Sequence, residues 1–218
     1  VRYAPDVRGM RGLLLTVVVG CGGGQVAETV PETFQPPAEP PSPEEPGWWS
    51  RSVDVCPDDA VLAGDAPPAG DEIWCQRPNG SKHGRWTWWA DNGAKISEGE
   101  YLDDAPDGEW VVWYENGNRK AQGRYQQGRE TGRWYGWDEA GYLTTDVTMD
   151  AGQRHGPWTW YHPNGRKAGE GEFLRGKPHG IWNRWDAGGR LTKVEEYDND
   201  RLLRATEYRD GRPIAKAD

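Results

Sequence analysis

Histidine recurs at one register of this chain: His83, His155 and His179 each stand immediately before a glycine. Repeated imidazoles can ligate a metal, but zinc–nitrogen bonds are only ~2 Å long. Neighbouring repeats of a sheet would hold these rings two strand spacings apart, ~9–10 Å. They read as polar turn residues, and no metal is expected. Asp103, Asp104 and Asp107, and separately Asp198-Asn199-Asp200, offer oxygen ligands for calcium but not at EF-hand spacing. Both groups sit where turns are expected, and turns favour Asp in any case. Glu98/Glu100 and Glu170/Glu172 pair carboxylates along a strand, yet a glycosidase pair needs a cleft, and one sheet layer offers none. The chain has no G-x-S-x-G, H-E-x-x-H, P-loop or C-x-x-C pattern. We therefore expect neither an enzyme nor a cofactor.

The spacing that does recur is 24 residues. Gly84, Gly108, Gly132, Gly156 and Gly180 keep that step, and two residues on so do Trp86, Trp110, Trp134, Trp158 and Trp182. Three further on come Trp89, Trp113, Trp137, Tyr161 and Trp185, then Gly93, Gly117, Gly141, Gly165 and Gly189. Tyr101, Tyr125, Met149, Phe173 and Tyr197 close each unit. A period of this length marks tandem structural repeats. In the unit 84–107, Arg85–Trp89 reads as a strand, Asp91-Asn92-Gly93 as a tight turn and Ala94–Tyr101 as a return strand. Asp103 to Gly108 reads as the next turn. Five units over 84–203 then give about ten antiparallel strands in a meander, an all-β sheet or solenoid. Lys95, Ser97, Gly99 and Tyr101 are expected on one face by alternation. The glycines at 99, 123 and 171 would leave room for an aromatic ring from the neighbouring strand. The two main aromatic columns lie three residues apart, so they face opposite ways unless a bulge intervenes.

Composition agrees with an aromatic core. Leu, Ile, Val and Phe make up about 14% of the 218 residues, while Trp contributes 14 and Tyr 9. Gly 30 and Pro 17 favour turns over long helices. A net charge of −9 with interspersed signs disfavours a nucleic-acid partner.

Outside the repeats the chain changes character. Gly12 to Gly20 is an apolar run of nine residues behind Arg11, too short to span a bilayer but long enough for a secretory signal. Val18-Val19-Gly20-Cys21 resembles the lipobox of a bacterial lipoprotein. The resemblance implies a signal peptide over 1–20 and a lipid on Cys21. Gly22 in place of Asp implies the outer membrane of a Gram-negative cell. Residues 21–55 read as a Pro/Glu-rich disordered tether, with seven prolines between Pro31 and Pro46. In an exported chain, Cys56 and Cys75 are expected to form a disulfide that staples a cap and half-repeat over 56–83. Residues 204–218 are expected to add a final strand and tail.

The pattern G-x-W-x-x-[WY]-x-x-N-G resembles the MORN-variant repeat, and more closely the repeats of YwqK-type proteins, which carry a toxin–antitoxin antitoxin label. The resemblance implies an interaction module with antitoxin-like activity; the wider MORN group is also credited with phospholipid binding. The third unit departs from the pattern at Gly136, Ala140 and Met149. The expected function is a lipid-anchored module of the cell envelope that binds a protein. The alternatives are a carbohydrate-binding module using exposed Trp/Tyr ladders, with Trp89, Trp113, Trp137, Tyr161 and Trp185 as its candidate surface, or a purely structural repeat domain.

Overall fold

In the computed structural model the described residues are 47–50 and 55–214. They form one 14-stranded antiparallel sheet in which spatial order follows sequence order. An edge hairpin, β1 (Val61–Asp65) and β2 (Glu72–Gln76), precedes five hairpins of similar length. These are β3 (Lys82–Trp89) with β4 (Lys95–Leu102), β5 (Ala105–Trp113) with β6 (Arg119–Gln126), and β7 (Arg129–Trp137) with β8 (Leu143–Asp150). They continue with β9 (Gln153–Tyr161) and β10 (Lys167–Leu174), then β11 (Lys177–Trp185) and β12 (Leu191–Asp198). β13 (Arg201–Arg209) follows as the expected last strand, and the two-residue β14 (Arg212–Pro213) ends the sheet.

Two kinds of turn alternate. In the first, Ala90 N–H donates to Ala94 O (2.9 Å) and Gly93 N–H to Ala90 O (2.8 Å), while Asn92 Oδ1 accepts from Ala94 N–H (2.9 Å). The same backbone pair of bonds recurs at Arg77/Ser81, Tyr114/Asn118, Asp138/Tyr142, His162/Arg166 and Asp186/Arg190. The stretch 71–83 is thus a true half-repeat. The second turn is shorter than expected. Asp103 and Asp104 alone make it, both at positive φ (52° and 64°), the geometry of a two-residue hairpin whose twist matches its strands.

Gly108, expected in that turn, lies inside β5 at φ 78°. There Gly108, Glu109 and Trp110 stand opposite the single residue Gly99, since Glu98 pairs with Val111 and Glu100 with Asp107. The repeating glycine is therefore the positive-φ residue of a bulge. Its effect is to lay the Trp110 ring on Gly99, where any Cβ would overlap the indole. Trp134 covers Gly123 and Trp182 covers Gly171 in the same way.

A second bulge corrects the expected facing of Lys95. Trp88 pairs with Ser97 but Trp89 with Lys95, which leaves Ile96 as an extra residue. Lys95 is thereby turned from the face of Ser97, Gly99 and Tyr101 to the opposite one, where its Nζ lies 4.6 Å from the Trp113 ring. Because this bulge is on the return strand, β3 itself alternates normally. Trp86 and Trp89 point to opposite faces, so the sheet carries aromatic columns on both.

The core is spread along these columns. Six of the ten buried apolar side chains among the described residues are tryptophan, each worth ~2–3 kcal/mol when covered. On one face, ring contacts run from Trp86 through Tyr101, Trp110 and Tyr125 to Trp134 at 5.0–5.8 Å. On the other, Trp48, Ile73, Cys75 and Trp89 cluster at the amino-terminal edge. Trp48 and Trp49 fall within the stretch 21–55 that composition marks as tether, yet they pack on the sheet. Trp48 Nε1–H donates to the buried Thr87 hydroxyl (2.9 Å), and Trp49 meets Trp89 edge-on at 5.0 Å. Cys56 and Cys75 are disulfide-bonded beside them. Cys21 and the signal and tether over 1–46 lie outside the described residues, as do 51–54 and 215–218.

Replacing Gly123 by Val tests the ring-on-glycine contact. An ordinary strand position gains from valine. Here the Cβ would overlap Trp134, and we expect a loss of about 1–3 kcal/mol, read from the urea unfolding midpoint.

Candidate binding groove

The aromatic column on the Trp86 face is broken once. In the third unit Val147 stands where the first, second and fourth units have Gly99, Gly123 and Gly171, and Met149 replaces the closing aromatic. A valine Cβ denies the next indole its seat. Among the described residues no ring pair joins Trp134 to Trp158, and the Nε1 of each is buried without a hydrogen-bond partner.

A second aromatic run begins at Trp158. It continues through Phe173 (4.7 Å) to Trp182 (5.0 Å) and Tyr197 (6.1 Å). Each run opens on a cation at the same repeat position. Lys82 Nζ sits 5.2–5.6 Å from the Trp74, Trp86 and Tyr101 rings and pairs with Glu72. Arg154 places its guanidinium carbon 4.7 Å from Trp158 and 4.5 Å from Phe173. Arg154 forms no ion pair among the described residues.

Trp160 stands beside the second run, at the position held by Trp88, Val112 and Gly136 in earlier units, and its indole covers Gly169. It lies 5.9 Å from Trp182 and 6.5 Å from Trp158. Together Arg154, Trp158, Trp160, Phe173, Pro178, Trp182, Arg184 and Tyr197 line a cavity of about 360 Å³. That is at the low end of the ~300–1,000 Å³ range of small-molecule sites.

One rim of the groove is charged. Glu195 falls in the glycine column, but Thr206 stands where a sixth covering Trp would come. The carboxylate, only 4% exposed, takes Arg184 Nε at 3.0 Å, Lys193 Nζ at 2.8 Å and the Tyr197 hydroxyl at 3.4 Å. Burial alone would raise its pKa, but the bonds from Lys193 and Arg184 outweigh that and hold it below its ordinary value. Burial and the neighbouring Glu195 push the Tyr197 phenol up.

The residues singled out from sequence lie elsewhere. Trp89 and Trp113 are 6% and 8% exposed, on the opposite face. Trp137 lies 6.0 Å from Tyr135, and Trp185 sits under Lys167 Nζ at 5.7 Å. Tyr161 is half-buried, its phenol raised by burial and by Asp146. The column is largely occupied by the chain's own side chains. Of the residues read as repeat structure, Trp158 and Trp182 line the groove. Sequence reasoning did not single out Trp160, Arg154, Arg184 or Glu195; of these, Glu195 departs most plainly from its column, a carboxylate where the other units have Gly or Val, whereas Trp88 already holds the Trp160 position in the first unit.

Several of the other candidates are engaged locally, while His179 Nδ1 is buried without a hydrogen-bond partner. His83 lies between Asp59 (3.9 Å) and Asp103 (3.4 Å), and His155 Nδ1 accepts from Arg175 N–H (3.4 Å). Asp104 and Asp107 accept from the backbone N–H of Lys82 (2.8 Å) and Gln127 (3.0 Å). Glu98 and Glu170 pair with Lys95 (3.1 Å) and Lys167 (2.7 Å).

A Glu195→Gln variant should lose about 1–3 kcal/mol at neutral pH, the worth of charge-assisted bonds. Because the folded pKa is lowered, the contribution is complete above the ordinary value of 4.5 and disappears as pH falls through the lowered one. Urea unfolding of both proteins across acid pH should show their stabilities converging.

Comparison with known proteins gives similarities to solved structures and to one family model. The crystal structure of accessory secretory protein 1,2 and 3 in Streptococcus pneumoniae is 15% identical, over 65% of this chain and 19% of that one, with a TM-score of 0.16. This chain thus spans about a fifth of that protein's length. No curated protein matches. The MORN repeat variant model matches residues 82–103, 106–127 and 154–174. These stretches fall on β3–β4, β5–β6 and β9–β10, the first, second and fourth of the five long hairpins, and three units of the sheet are thus similar to the MORN repeat variant.

Proposed function

We propose that this sheet is a non-catalytic carbohydrate-binding module of a bacterial cell envelope, tethered through a lipid on Cys21. The carrying observation is the groove whose floor is the buried Phe173 and Trp182 and whose partly exposed walls are Trp158, Trp160 and Tyr197. Indole rings around a cavity of about 360 Å³ suit the C–H face of a sugar ring, which stacks on them as apolar groups do. A protein partner is the second reading, with antitoxin-like activity as the family resemblance implies. What favours it is the outer side of β13, where Leu202 and Leu203 are each 49% exposed and only Tyr208 and Arg209 pair with β14.

Trp160→Ala separates the two. A carbohydrate module should lose retention on a polysaccharide column by on the order of tenfold, the effect of one stacked ring. Retention unchanged by the variant, with an envelope protein still captured, favours the edge. The anchor is tested separately. Cys21→Ser should abolish labelling by a radioactive fatty acid and move the protein from the membrane fraction to the soluble one.

A further inference from the structure

We infer that the saccharide this groove selects is acidic, a uronate whose ring stacks on Trp160 while its carboxylate is taken by Arg154 and Arg184. This rests on the groove being the ligand site, and adds a charge requirement that neutral sugars do not meet.

The argument starts from unequal charge at the groove. Arg154, Arg184 and Lys193 bring three cations to this end of the face, and Glu195 is the one carboxylate that pairs with any of them among the described residues. The chain as a whole is −9, so the local excess runs against its general balance. Arg154 is held against two aromatic rings, at 4.5 and 4.7 Å, with no anion to receive. Arg184 gives Nε to Glu195 at 3.0 Å while its guanidinium carbon stands 5.5 Å from the Trp160 ring. Its terminal nitrogens remain as donors.

Arginine rather than lysine at both positions suits a planar acceptor. A guanidinium offers parallel N–H groups to a carboxylate and keeps its charge at any working pH. Beside indoles, where water is partly excluded, such a pair is worth more than on an open surface. A neutral hexose would cover Trp160 and leave both guanidiniums as they were. A uronate supplies the stacking face and the anion together. The geometry is less suited to a lipid surface, which is bound by clusters of ~4–8 Lys or Arg.

The test uses the full chain and matched oligosaccharides, oligogalacturonate and oligogalactose of equal length, read by tryptophan fluorescence and calorimetry. We expect the uronate to bind at least tenfold more tightly, with affinity falling as salt rises. Arg154→Gln should bring it to the neutral level. Arg154 is exposed, so this variant should fold as the parent does. Arg184→Gln made together with Glu195→Gln provides a second variant without leaving a buried carboxylate unpaired.

Equal affinity for both sugars overturns the acidic selection and leaves the groove as a neutral-sugar site, and a preference untouched by either variant overturns its assignment to Arg154 and Arg184. Binding of neither sugar by folded protein overturns the selection and the carbohydrate reading with it. Vesicles rich in anionic phospholipid provide the remaining arm. Vesicle binding that Arg154→Gln removes, without uronate binding, overturns the inference in favour of a lipid headgroup.

Discussion

A sheet one layer thick has no second layer against which to bury its side chains, so burial has to run along the sheet from strand to strand. Here that is achieved by laying an indole flat on the backbone of a glycine one strand away, as Trp110 does on Gly99 and Trp182 on Gly171. The contact needs three things at once. The lower residue must lack a Cβ, the upper must be broad, and the upper strand must bulge to bring the ring across. The positive-φ glycine two residues before each column Trp supplies the bulge. The aromatic ring that closes the unit then meets the indole edge-on, as Tyr101 meets Trp110 at 86°. A chain this poor in Leu and Ile can cohere because each Trp covers so much surface.

Where one of the three requirements fails, the face changes. Val147 removes the seat for the next indole, and the ring-to-ring contacts stop between Trp134 and Trp158. Restarting the column allows it to restart differently. Trp160 widens the second run, and Gly169 accommodates it as Gly99 accommodates Trp110. At the far end no sixth Trp arrives, and the space over position 195 is occupied by a carboxylate instead of an indole. Burying that charge is tolerable only because Arg184, Lys193 and Tyr197 all converge on it. The groove is bounded by these two failures of the repeat.

The fold was legible because its period is written in residue types that are rarely spent idly. Columns of Trp and Gly at 24-residue steps specified the ten strands of the five units, the turns at Gly93 and its equivalents and the ring-on-glycine packing. What could not be read was which way side chains turn after a bulge. One extra residue, Ile96, reverses the facing of Lys95, and no residue type in that stretch announces it. Likewise Gly108 looks like a turn residue because positive φ is shared by turns and bulges. Trp48 and Trp49 were hidden by their neighbours, since proline and glutamate set the character of a stretch in which two indoles nevertheless dock. The site was illegible for a related reason. Regularity pointed to the column of Trp89 and Trp113, both of which are buried, while the groove combines regular positions of the other column with residues outside it.

Departure from a repeat therefore carries different information from the repeat itself. A column residue is constrained by the strands on both sides, and its side chain is consumed by them. A residue outside that constraint can be spent differently: Arg154 and Trp160 line the groove, while Glu195 is engaged by Arg184, Lys193 and Tyr197. Arg184 and Trp160 share one repeat position whose other occupants are Trp88, Val112 and Gly136. The spread in size and polarity at that position shows that sheet cohesion does not depend on it. Arg184 there makes none of the ring-on-glycine contacts, whereas Trp160 adds one of its own by covering Gly169. In a single-layer sheet, then, the binding surface is set by the positions that the packing leaves unassigned.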